Sequence, residues 1–283
     1  MIDTDFLRHL KRLNIMINKR SSSQHIGQRN SVYGGQGLLF KDRGIYSYGD
    51  DFRKIDWKVF ARTDKLHIKR YEEERNLTVH IIVDSSASMQ FGSGKRTKFE
   101  YACMIGLGFA HIATTNNEKF VLSTFSDQLE VFKPSKGKKQ LVATVDHLKN
   151  KHAEGVSRFQ EALGKYTKLI KSRSLVIIIS DFLYEPEEIK MVVTRFKNSD
   201  VKLIQVLDPM ELKLNLKGEF KLKDLETKSL MKTFIGPFVR KKYLEKLQGH
   251  TAKIHWIADE LGVTFDSIIT DVEIYDTFYK LLS

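Results

Sequence analysis

Asp84, Ser86 and Ser88 occupy alternate positions of a D-x-S-x-S string, Asp84-Ser85-Ser86-Ala87-Ser88, directly after the apolar run LTVHIIV at 77–83. One carboxylate and two hydroxyls brought to a point make a hard-oxygen donor set, which suits Mg²⁺, Mn²⁺ or Ca²⁺ rather than zinc. Serine and aspartate after a strand also cap helices, and the string alone leaves both readings open. A second carboxylate, Asp181, ends another apolar run, LVIIIS at 175–180. If both runs are neighbouring parallel strands, Asp84 and Asp181 meet at one sheet edge. Like charges that close need a counter-charge or raised pKa values, and a divalent cation would supply the charge.

A sheet must position these groups, and the chain from residue 77 has the pattern of one. Runs at 77–83, 120–125, 129–132, 175–180, 201–207 and 263–265 read as strands. Stretches at 98–115, 139–149, 158–171, 187–196, 238–261 and 272–282 have helical spacing. Pro186 suits a first helical turn, and Gly262 suits a C-terminal cap. Alternating strands and helices with short connections predict an α/β fold of Rossmann type, a mostly parallel central sheet flanked by helices. Ligands of such sheets bind at the carboxyl ends of the strands, where Asp84 and Asp181 fall. The charged, alternating stretch at 212–235 predicts a hairpin excursion. Two regions are expected: 77–283 as the sheet domain, and 1–76 as an N-terminal helix and β-containing extension. Phe6, Leu7, Leu10, Leu13 and Ile17 give residues 1–20 an amphipathic helical spacing. The polar stretch at 21–37 reads as a connector, and LHIKRY at 66–71 as a strand.

The D-x-S-x-S string with a later Asp181 resembles the von Willebrand factor A domain and its metal-ion-dependent adhesion site. That resemblance gives Asp84, Ser86, Ser88 and Asp181 metal-binding roles. It also assigns a hydroxyl from a second loop, where Glu154-Gly155-Val156-Ser157 places Ser157 at a position usually held by threonine. In that family an acidic side chain of the partner completes the metal shell. A longer resemblance, over roughly 27–283, is to the bacterial and archaeal family called domain of unknown function 58. It rests on GDDxRxIDWxxxAR (Gly49 to Arg62), on Leu207-Asp208-Pro209-Met210-Glu211 and on Asp224-Leu225-Glu226-Thr227. Genes of that family often neighbour those of MoxR-type AAA+ ATPases, which implies an assembly or chaperone partnership. The resemblance thus implies a non-enzymatic, metal-dependent protein–protein interaction module. Asp50, Asp51, Arg53, Asp56 and Arg62 are expected to pair charges around a buried Trp57, with a partner-binding surface as the other reading.

Composition narrows the remaining classes. The 283 residues are 41% hydrophobic and 29% charged, which fits a globular chain. No stretch approaches ~18 uninterrupted apolar residues, so no transmembrane helix is expected. Residues 1–20 lack the apolar core of a secretory signal. Cys103 is the single cysteine, which excludes an intramolecular disulfide and fits a reducing, cytoplasmic setting. The net charge of +12, with 16 Lys/Arg against 10 Asp/Glu in residues 1–76, keeps a nucleic-acid reading open as an alternative. A metal-dependent hydrolase using the same acidic cluster is another. It lacks support from HExxH or GxSxG strings, and the GSGKR stretch at 92–96 has Met89 and Arg96 where a phosphate loop needs glycine and a hydroxyl.

Overall fold

The computed structural model describes residues 38–73 and 77–282, so the helix expected over 1–20 and the connector at 21–37 lie outside the described residues. These fall into two compact units, one within 28–76 and the other from Leu77 onward. In the first, β1 (Leu38–Ile45) pairs antiparallel with β2 (His67–Glu73), with a bulge between Phe40 and Asp42. A 3₁₀ turn (Phe52–Lys54) and α1 (Trp57–Thr63) lie between them in the chain. Ile55 bridges to Ile68, and both are buried.

The expectation of a buried Trp57 is overturned: its side chain is 60% exposed, edge-on to Phe60. The cause is local. Asp50 Oδ2 accepts the Ser47 amide at 2.9 Å, and Asp51 Oδ1 accepts the Arg53 amide at 3.0 Å. The Arg62 Nε donates to the Lys58 carbonyl at 3.3 Å. Short acidic side chains take nearby backbone donors in preference to guanidinium groups that must be brought from further away.

The second unit contains a six-stranded sheet made of β3 (Thr78–Asp84), β4 (Lys119–Phe125), β5 (Leu129–Val131), β6 (Ser174–Ser180), β7 (Asp200–Leu207) and β10 (Thr264–Ile269). They lie side by side in the order β10-β7-β6-β3-β4-β5. All neighbours run parallel except β4 and β5. The helices are α2 (Lys98–Thr115), α3 (Lys138–Lys149), α4 (Phe159–Thr167), α5 (Pro186–Thr194), α6 (Pro209–Lys213), α7 (Pro237–Leu261) and α8 (Ile274–Leu281). β8 (Gly218–Lys223) and β9 (Leu230–Ile235) form a separate two-stranded antiparallel hairpin. The expected sheet is present. β10 extends beyond the short strand read at 263–265, because its half-exposed polar residues Asp266 and Ser267 hide the pattern.

Alternate strand residues feed two cores. Val79, Ile81, Val83, Ile177 and Ile179 pack with α2 and α8, while Ile82, Val176 and Ile178 pack with α4 and α5. That two-sided burial is why the central strands read as continuous apolar runs. Glycine permits the close seating of α2: a Cβ on Gly106 would sit 3.2 Å from Ile81, and one on Gly108 would overlap the Phe278 ring. A capping box, Thr97 with Glu100, starts the helix. The chain winds outward from β3 in both directions, so the β3–β6 seam is the point where strand order reverses.

Candidate functional site

Parallel register aligns the ends of β3 and β6, with Val83 opposite Ile179. Asp84 and Asp181 therefore reach the same edge, as the sequence suggested. The Asp84 side chain is wrapped by donors. Its Oδ1 accepts the Ser86 amide at 2.9 Å, and its Oδ2 accepts the Ser180 hydroxyl at 2.7 Å and the Tyr184 hydroxyl. Ser86 and Ser88 converge with their hydroxyls 3.2 Å apart, and Ser88 donates to Asp181 Oδ2 at 2.9 Å. Ala87–Gln90 is a 3₁₀ turn, and Ser86 precedes it without a side-chain capping bond. Helix capping, the competing reading of the string, is therefore not what the Ser86 hydroxyl does.

Ser157 enters through the second loop. The Ala87 amide donates to the Gly155 carbonyl at 2.9 Å, and the Glu154 amide donates to the Ser85 carbonyl at 2.8 Å. These bonds fasten the 154–157 segment to the D-x-S-x-S loop. Gly155 sits at φ +84°, where a side chain would be strained and its Cβ would press on Asp127. Ser157 Oγ lies 2.6 Å from the Tyr184 hydroxyl, so it meets Asp84 through that phenol rather than directly.

Further partners were not legible as site residues. Lys98, the first residue of α2, is buried, and its ammonium bonds Asp181 Oδ2 at 2.9 Å and Glu211 Oε1 at 2.8 Å. Tyr184 and Ser180 close around Asp84. The only sequence signal for Ser180 was its place before Asp181; Lys98 read as a helix start, and Tyr184 fell unassigned between the run at 175–180 and the helix at 187–196. Phe182 turns at φ +51° with its ring buried, which lets Asp181 face the cluster while the next residue enters the core. Asp208, at the end of β7, has a different role. It caps α6 and accepts the Ser93 amide at 2.8 Å, pinning the 92–96 loop.

Electrostatics follow from this packing. Burial, then the charge of Asp181, raises the Asp84 carboxyl to about 6, against the pull of the Tyr184 and Ser86 hydrogen bonds. Burial and the two nearby carboxylates push the Tyr184 phenol well above its ordinary range. Burial opposes the Lys98 charge, yet Asp181 and Glu211 together raise its pKa. The donor set of two carboxylates and three hydroxyls fits a hard divalent cation. Hydroxyls that donate to carboxylates keep lone pairs for a metal, while Lys98 already shares the charge of Asp181. Among the described residues no group of three or more His, Cys, Asp or Glu is gathered for a metal. A site here would rest on its hydroxyls.

The chain is 23% identical over 268 residues to "Uncharacterized protein Rv1480" of Mycobacterium tuberculosis, covering 93% of this chain and 84% of that protein. Among solved structures, it resembles BatB from Bacteroides thetaiotaomicron at 14% identity and TM-score 0.48, over 73% of this chain and 97% of that one. The SpRpn10 VWA domain aligns at 12% identity and TM-score 0.47, over 73% and 95% of the respective chains. Among the described residues no helix is long and apolar enough to cross a membrane. Residues 43–253, which contain every residue of the cluster above, match the family described as "Protein of unknown function DUF58", and the chain belongs to that family.

Proposed function

We propose that the carboxyl edge of the sheet is a divalent-cation-dependent docking site for another protein. Asp84, Ser86, Ser88, Ser157 and Asp181 are the residues that would hold Mg²⁺, or Mn²⁺ or Ca²⁺ in its place. The carrying observation is the pair of hydroxyls on Ser86 and Ser88, 3.2 Å apart and linked to Asp181 without a capping role. A bound cation would supply an electrophilic centre for an acidic side chain of the partner, because neutral hydroxyl ligands leave much of its charge uncompensated. The chain's own residues orient those hydroxyls and hold Asp84 behind them. Ser85 donates to the Phe125 carbonyl and His80 bonds the Tyr166 hydroxyl, so neither is set as nucleophile or base here. The partner we assign is a MoxR-type AAA+ ATPase or its client, met in the cytoplasm during assembly or chaperone-like work. The surplus of +12 suits an acidic partner.

Thermal unfolding in Mg²⁺ and in EDTA tests the cation. Mass action adds about 2.7 kcal/mol at a hundredfold excess over Kd, and Asp84→Ala should remove the gain. Ser86→Ala/Ser88→Ala deletes two hydroxyls without deleting a charge and should do the same. Pull-down of the ATPase should weaken in EDTA and in both variants. Equal unfolding temperatures and equal capture in every condition would sink the reading.

A further inference from the structure

The tip of the β8–β9 hairpin lies at this same edge. Asp224 Oδ1 accepts the Glu226 amide at 2.8 Å and the Thr227 amide at 2.9 Å, while the Asp224 amide donates to the Ser229 carbonyl at 2.9 Å. Lys228 completes the turn at φ +59°. From Lys221 to Leu230 every residue is exposed except Glu226, which is half-buried. Leu225, Glu226 and Lys228 wall a cavity of about 690 Å³ that Ser85, Ala87 and Gly155 also line. The Glu226 carboxylate reaches the Ser86 hydroxyl and the Ser157 amide.

We infer that Glu226 is an internal ligand of the docking site: the hairpin tip fills the place of the partner's acidic side chain, and a partner must displace it. This rests on the docking reading above. A carboxylate brought toward Asp181 is unfavourable by itself. A cation between the carboxylates turns that repulsion into attraction. Departure is also physically easy. The hairpin strands bond only each other, and Leu230, Met231 and Phe234 are each at least 60% exposed. Little apolar burial is lost if the tip swings away, and an isolated two-stranded hairpin is marginally stable at best.

The test uses the full chain with Mg²⁺ alone, read by amide hydrogen exchange and by calorimetric titration. Mg²⁺ should slow exchange at 84–88 and also at 224–228. Glu226→Gln should abolish the slowing at 224–228 and keep it at 84–88. It should also weaken Mg²⁺ binding on the order of tenfold, since ligand charge tunes affinity. Glu219→Gln, which removes the same charge from the exposed hairpin stem, should bind Mg²⁺ as the wild type does. Mg²⁺ protection confined to 84–88, unaltered affinity in Glu226→Gln, or equal losses in both variants would overturn the internal ligand while leaving the docking site standing. No Mg²⁺ effect at 84–88 in the wild type would overturn both.

Discussion

β6 and the β8–β9 hairpin bring acidic residues to one place by opposite physical means. β6 carries Asp181 at the end of a strand buried on both faces, hydrogen-bonded on both sides and locked in register by β3 and β7. A one-residue slip would move every side chain to the wrong face, so the position of Asp181 is fixed by the whole core. The hairpin carries Glu226 on a turn whose strands bond only each other and whose side chains are mostly exposed. Its geometry is local, set by Asp224. The contrast separates a fixed half of the site from a half that can leave, and substitutions should register the difference as stability.

The largest effect belongs to the fixed half. Ile179→Ala empties a fully buried position two residues before Asp181 and should cost about 2–5 kcal/mol in urea unfolding. A cost under ~1 kcal/mol would mean the strand end is far less constrained than its burial implies. Next comes His80 on β3, whose imidazole is buried and lowered from 6.5 to about 4 by desolvation. A depressed histidine pKa gives stability that is fully present above pH 6.5 and lost as pH falls to 4. The full amount is about 3 kcal/mol. Asp84, raised to about 6, has the opposite sign: its favourable contribution exists below about pH 4 and is lost as pH rises to 6. The two partly cancel in the wild type. The stability of wild type minus His80→Gln should therefore fall by about 3 kcal/mol from pH 7 to pH 4, and a flat difference would contradict a neutral buried imidazole. The smallest effect belongs to the hairpin: Met231→Ser should alter unfolding by no more than about 0.5 kcal/mol. A loss comparable to that of Ile179→Ala would erase the distinction between the halves.

The same contrast governs what the residue order made legible. The runs ending at Asp84 and Asp181 announce strands because burial on two faces demands unbroken apolar sequence. Strand ends in such sheets carry ligands, so two of the charged members followed at once. Lys98 was hidden because its type and place suit any helix start, and only the fold shows that its ammonium lies between Asp181 and Glu211. Tyr184 was hidden because a tyrosine in the short connection between a strand and a helix has no pattern. Glu226 lay within a string noticed only for its resemblance, since nothing in a hairpin tip's composition says what edge it touches. Trp57 misled for a related reason: aromatic residues favour burial on average, but Asp50 and Asp51, two of the acids expected to pair around it, were already committed to the backbone of their own turn.

Cys103 had offered no chemistry, and its placement now has a practical use. The thiol lies in α2, only 2% exposed, and burial raises its pKa far above the ordinary range, which makes it a poor target for alkylating reagents. A cysteine placed in the hairpin tip, as in Thr227→Cys, would then be the one readily labelled thiol among the described residues. A fluorophore attached there would follow the tip during addition of cation or partner, with no need to remove a native cysteine first.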